Sequence, residues 1–85
     1  LVAAICAAPS VLGHMGLLEG KQAVCFPGFE NQLTGAKVSS RPVCVDGNIV
    51  TGRGPGVSIE FGLTLVSQLK GAKTAEAIRM SMQCM

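Results

Sequence analysis

The stretch Leu1-Val2-Ala3-Ala4-Ile5-Cys6-Ala7-Ala8-Pro9 decides the fold. An unbroken apolar run leads into a cysteine, two alanines and a proline. Such a run predicts a short strand in a sheet covered on both faces. Proline is favoured at the first position of a helix, so a helix begins at Pro9. Cys6 therefore stands at a sharp strand-to-helix junction, the layout of a nucleophile elbow. Ala4 and Ala8 occupy the places where the hydrolase pattern G-x-S-x-G has glycine, since small residues let strand and helix backbones approach. A thiol on this turn faces the positive end of the helix dipole, which favours thiolate. The segment predicts a reactive cysteine.

Further along, the pattern alternates. A helix is expected from Pro9 to about Leu18, then a strand over Gln22–Phe26. Pro27–Lys37 reads as a turn with a helical stretch around Phe29–Leu33 and a break at Gly35. Pro42–Val45 is a strand, Asp46-Gly47 a hairpin signal, and Asn48–Thr51 the return strand. Gly52-Arg53-Gly54-Pro55-Gly56 then leads into a long helix ending near Lys70. Its apolar residues surround most of the circumference, which predicts a largely buried helix. Gly71 suits the position just past that helix. Thr74 is the expected N-cap of a last helix. Alternating strands and helices argue for α/β layers with a mainly parallel sheet. Four strands are fewer than such a sheet usually has (about five or six). The chain also starts inside a core strand, so the expectation is the C-terminal part of a larger domain, the alternative being a complete small α/β protein.

Composition excludes several classes. The 85 residues are 48% hydrophobic, which is globular, but a core of this size is marginal. With net charge +2, no basic cluster and few aromatics, a nucleic-acid surface is not expected. No apolar run approaches the ~18 residues of a membrane span. The first stretch lacks the preceding Met and basic region of a secretory signal, and helix signals follow it. The cysteines are Cys6, Cys25, Cys44 and Cys84, with no C-x-x-C pair and a single histidine, so no metal site is expected. Cys25 and Cys44 lie in apolar, strand-like runs, where a free thiol behaves as a small hydrophobe. These features suit a reduced, cytoplasmic protein.

Three segments together resemble the ThiJ/PfpI superfamily: Val2-Ala-Ala-Ile-Cys-Ala-Ala-Pro9, Asp46-Gly-Asn-Ile-Val-Thr-Gly-Arg-Gly-Pro-Gly56 and Ile59-Glu-Phe-Gly-Leu63. The resemblance implies a flavodoxin-like three-layer α/β sandwich, usually dimeric and about twice this length. Residues 1–85 are then the C-terminal half of one domain. The N-terminal half would come from a cleaved or companion chain. It would bring the glutamate that hydrogen-bonds the elbow cysteine and acts as base, and a glycine amide of the oxyanion site. Protease-like members carry His directly after the elbow cysteine, where this chain has Ala7. Others carry a pocket histidine before a proline, where this chain has Phe26 before Pro27. Both departures weaken a peptidase or amidase reading, which needs a base beside the thiolate.

The candidate residues follow. Cys6 is the nucleophile, and the Ala7 N–H is the oxyanion donor. Arg53 is the candidate contact to an anionic substrate carboxylate, the other reading being a solvated or interface arginine, and Phe26 is the candidate pocket wall. His14 lies eight residues past Cys6 on the same helix, about 12 Å along the axis at ~1.5 Å per residue, too far to be its base. The 52–56 loop lacks GxGxxG spacing and a following Lys-Ser/Thr pair, so it is not a nucleotide loop. Met80, Met82, Cys84 and Met85 form an oxidisable tail. The expected activity is cofactor-independent: Cys6 adds to small reactive carbonyls such as methylglyoxal. The alternative is a non-enzymatic stress sensor or chaperone whose Cys6 is oxidised.

Overall fold

The computed structural model describes residues 1–83. Strand β1 (Val2–Ile5) leads through the Cys6 turn into helix α1 (Pro9–His14), with proline in its first turn as the sequence implied. Strands β2 (Gln22–Ala23) and β3 (Lys37–Val38) flank a single 3-10 turn at Glu30–Gln32. Strands β4 (Val43–Asp46) and β5 (Ile49–Gly52) form the hairpin. A second 3-10 turn (Pro55–Val57) opens helix α2 (Ser58–Lys70), and Gly71 separates it from α3 (Ala72–Ser81). The reading of Cys84 and Met85 lies outside the described residues.

The main sheet has the order β1-β5-β4. β1 runs parallel to β5, with Val2 opposite Ile49 and Ile5 opposite Gly52. β4 runs antiparallel to β5, with Asp46 opposite Ile49. The strand covered on both faces is β5, whose four residues are all buried. β1, expected in that role, stands at the end of the strand order and is half-buried, with Ala3 exposed. The hairpin turn falls one residue later than Asp46-Gly47. Gly47 has φ +61° as the first central residue and Asn48 is the second, the II′ arrangement that matches strand twist.

Displacing Asp46 from the turn gives its side chain another use. Its Oδ2 accepts the Gln22 N–H at 2.7 Å. Thr51, fully buried in β5, accepts the Val24 N–H on Oγ1 at 3.0 Å. Two side chains thus hold the 22–26 segment against the hairpin without a ladder. Only Gln22 and Ala23 pair as strand, in parallel with Lys37 and Val38. β3 was absent from the sequence reading because both its residues are exposed and carry no apolar pattern.

Three other expectations are corrected. The first helix stops at His14 rather than Leu18. Gly16 adopts φ +77°, its N–H donates to Gly13 O, and the Leu17 N–H donates to Leu12 O. That is a Schellman stop. Helix α2 buries Leu63 but leaves Ile59 and Leu69 exposed, so its apolar circumference is not enclosed by the described residues. The last helix begins at Ala72, ahead of Thr74, because Gly71 at φ +95° already breaks the chain direction and its carbonyl accepts the Ala75 N–H. The apolar core gathers Leu18, Ala23, Cys25, Leu33 and Ile49 between the post-α1 turn, the 22–26 segment and β5.

Candidate active site at the strand-to-helix elbow

Cys6 has φ +66°, a left-handed conformation that non-glycine residues rarely adopt. Such a backbone costs of order 1–3 kcal/mol and persists only when its surroundings impose it. Here two hydrogen bonds do so. The Cys6 N–H donates to Gly52 O at 2.9 Å, and its carbonyl accepts the Phe26 N–H at 2.7 Å. The turn closes when the Ala8 N–H donates to Ile5 O at 3.2 Å. The Ala7 N–H donates to no backbone carbonyl among the described residues. Cys6 is half-buried and its thiol is free.

The same bonds assemble the surroundings. Phe26 N–H to Cys6 O fixes the aromatic residue beside the elbow, and Arg53 follows the residue that accepts from Cys6. Phe26 and Arg53 line one cleft of about 370 Å³, together with Pro27, Pro55 and Val57. Phe26 and Arg53 share this cleft, whereas Cys6 and Ala7 are not among its lining residues and adjoin it through the backbone bonds of Cys6 to Gly52 and Phe26. His14 is not among the lining residues either. It ends α1, and its Nε2 lies 2.6 Å from Gln32 Oε1. Among the described residues, no cluster of His, Cys, Asp and Glu could hold a metal ion.

Two glycines of the 52–56 turn shape the site. A Cβ on Gly52 would stand 2.9 Å from Phe61 Cδ1 and 3.0 Å from Ile5 Cγ1, so any larger residue would force one of those side chains to move. A Cβ on Gly54 would touch Phe26 Cδ1 at 3.4 Å, so the loop backbone lies close to the ring. Their only sequence signal was the glycine density of 52–56. Ala8, expected to be crowded, is exposed.

The other described thiols contrast with Cys6. Cys25 and Cys44 are 6% and 2% exposed. Burial pushes the Cys25 thiol up, and the Glu30 carboxylate adds to the rise against a lowering by the Phe29 backbone. Burial likewise pushes Cys44 up, Asp46 adds to it, and Arg41 opposes it. Both are held as inert thiols at neutral pH. Iodoacetamide at pH 7 is therefore expected to alkylate Cys6 before either of them, as mapped by peptide mass spectrometry on the complete protein. Earlier labelling of Cys25 or Cys44 would count against the elbow assignment.

A strained cysteine at a β-strand's carboxyl end, with small residues after it and a helix beginning at Pro9, defines an elbow-cysteine α/β protein. Residues 1–68 match the family model described as DJ-1/PfpI family. The chain belongs to that family. It is 53% identical over 78 residues to Protein DJ-1 homolog B of Arabidopsis thaliana, covering 88% of this chain and 18% of that protein. The structure matches Toxoplasma gondii DJ-1, oxidized, with a TM-score of 0.90 at 40% identity, over 98% of this chain and 46% of that one. Two relatives carry the names of activities. Isonitrile hydratase of Pseudomonas putida is 36% identical, over 96% of this chain and 37% of its own. The glutathione-independent glyoxalase DJR-1.2 of Caenorhabditis elegans is 30% identical, over 92% and 42%. The chain thus spans less than half the length of each of these proteins. The α/β fold class read from the sequence is the one these structures share.

Proposed function

We propose that this chain carries the thiol half of a DJ-1-type active site acting on small reactive carbonyls. The observation that carries the reading is the Cys6 backbone, pinned at φ +66° beside the Phe26–Arg53 cleft. The Cys6 thiolate adds through Sγ to an aldehyde carbon, and the carbonyl electron pair moves onto oxygen. The free Ala7 N–H meets that oxyanion. Protonation gives a hemithioacetal. A glutamate from the remainder of the domain shuttles the proton between the two carbons of an α-oxoaldehyde, giving a thioester that water cleaves. The net reaction adds water to methylglyoxal and yields lactate, with no external oxidant, reductant or cofactor. Phe26 walls the pocket and Arg53 faces the polar end of the substrate. The glyoxalase and hydratase names of two relatives support chemistry on small electrophiles.

The rest of the domain is taken to be an N-terminal half, and the complete domain to form a homodimer. The setting is taken to be reducing and cytoplasmic, which keeps Cys6 as a thiol. Among the described residues no helix is long and apolar enough to cross a membrane. A second reading is an oxidative-stress sensor or chaperone in which Cys6 is oxidised to sulfinate. It is favoured by similarity to the oxidized form of Toxoplasma gondii DJ-1. The test is lactate formation from methylglyoxal, without glutathione, by the complete protein and its Cys6 variant. Lactate formed at equal rates by both would refute the covalent route.

A further inference from the structure

Arg53 has a neighbour of the same charge. Its N–H donates to Pro42 O at 3.1 Å, which lays residues 52–54 beside residues 41–43. Arg41 and Arg53 both line a cleft of about 240 Å³ that also includes buried Cys25 and the serines Ser39 and Ser40. Glu30 lines it too, with its Oε1 accepting the Gly28 N–H at 2.9 Å. On their other side the two arginines share a cleft of about 470 Å³ with Glu60. That carboxylate is engaged by Arg79 at 3.3 Å. Among the described residues, the ion pairs all belong to Arg79, so neither Arg41 nor Arg53 has a carboxylate partner.

Arg41 and Arg53, both exposed, stand on adjacent backbones and share two clefts with one carboxylate each, so two cations face a single anion on either side. An oxyanion between them balances the remaining charge and accepts charge-assisted hydrogen bonds from both planar forks. We propose that Arg41 and Arg53 form a subsite for a phosphate-class dianion, either free phosphate or the phosphate end of a small carbonyl compound. The second source is favoured by position. Ile5 pairs with Gly52, and Gly52 with Val43, so the elbow, Arg53 and Arg41 follow one another across neighbouring strands. At ~4.8 Å per strand the β5 backbone lies one strand from the elbow and β4 two, a spacing that suits a short phosphorylated aldehyde. The carbonyl end of this inference rests on the elbow reading, whereas the anion end does not.

The experiment titrates the complete protein with inorganic phosphate at low ionic strength, against sodium chloride of equal ionic strength, following melting temperature and heat of binding. Phosphate is expected to raise the melting temperature where chloride does not. Arg41→Gln is expected to weaken phosphate at least about tenfold, with Arg41→Lys in between because a point charge replaces a fork. Cys6→Ser is expected to bind phosphate like the wild type, so a failed elbow and a failed anion site give different results. Glyceraldehyde 3-phosphate turned over with a lower KM than methylglyoxal identifies the ester as the source; equal KM values identify free phosphate, and the subsite stands in either case. No stabilisation beyond chloride, or full phosphate affinity in Arg41→Gln, overturns the proposal.

Discussion

Cys6→Ser is expected to lower methylglyoxal turnover by the complete protein at least about a thousandfold, while His14→Ala changes it less than about twofold. A thousandfold corresponds to about 4 kcal/mol of transition-state stabilisation, well within what loss of a covalent nucleophile removes. Serine fits the same turn, but its hydroxyl is not ionised at neutral pH, and no base among the described residues stands ready to take its proton. The single histidine is bonded to Gln32 at the far end of α1. Lactate formation, followed at saturating and at low aldehyde, separates lost chemistry from lost binding. A Cys6→Ser protein that keeps its rate rules out the hemithioacetal. A wild-type protein that turns over no aldehyde, yet oxidises at Cys6 in dilute peroxide, belongs to the sensor reading instead.

The second large effect is on stability and runs against helix propensity. Gly13 lies inside α1, where alanine normally gains up to about 1 kcal/mol. Yet a Cβ there would run into the Gln32 carbonyl oxygen and stand 2.9 Å from Leu33 Cα. Both are backbone atoms of the turn around Glu30–Gln32, which cannot rotate away as a side chain can. Gly13→Ala is therefore expected to destabilise the complete protein by about 1–3 kcal/mol, the range for overpacking. Gly62 in α2 is the control, because nothing described lies within 4 Å of its added Cβ. Gly62→Ala should leave stability unchanged or raise it. Urea melts of the three proteins decide the matter, and a more stable Gly13→Ala protein would mean that α1 does not pack on that turn.

The elbow was legible because its signals are local: an apolar run, a cysteine and a proline within nine residues. The hairpin was legible for the same reason, although pairing moved the turn one residue on, so that Gly47 rather than Asp46 takes the first central position. What the sequence hid was long-range. Nothing near Thr51 announces that its hydroxyl holds the Val24 amide, or that Asp46 holds Gln22. β3 exists only because Lys37 and Val38 find Gln22 and Ala23 across an intervening turn. The pairing of Arg41 with Arg53 across the 240 Å³ cleft belongs to the same class. The end of α1 was a different kind of miss. Gly16, at φ +77°, is a local stop signal that ends the helix before the apolar Leu17 and Leu18.

The bonds that strain Cys6 also set when it can become strained. The β4–β5 hairpin closes over a two-residue turn, a fast local event. The Cys6 partners, Gly52 and Phe26, lie far along the chain, so their closure is slow and comes later. The elbow is therefore a late product of folding, assembled on a hairpin that already exists. A chain emerging from denaturant is expected to hold Cys6 in an ordinary backbone conformation before the elbow forms. Pulse-alkylation during refolding should show Cys6 acquiring its native reactivity only after hairpin amides are protected from hydrogen exchange. Native reactivity that precedes amide protection would place the elbow's origin within residues 1–9 alone.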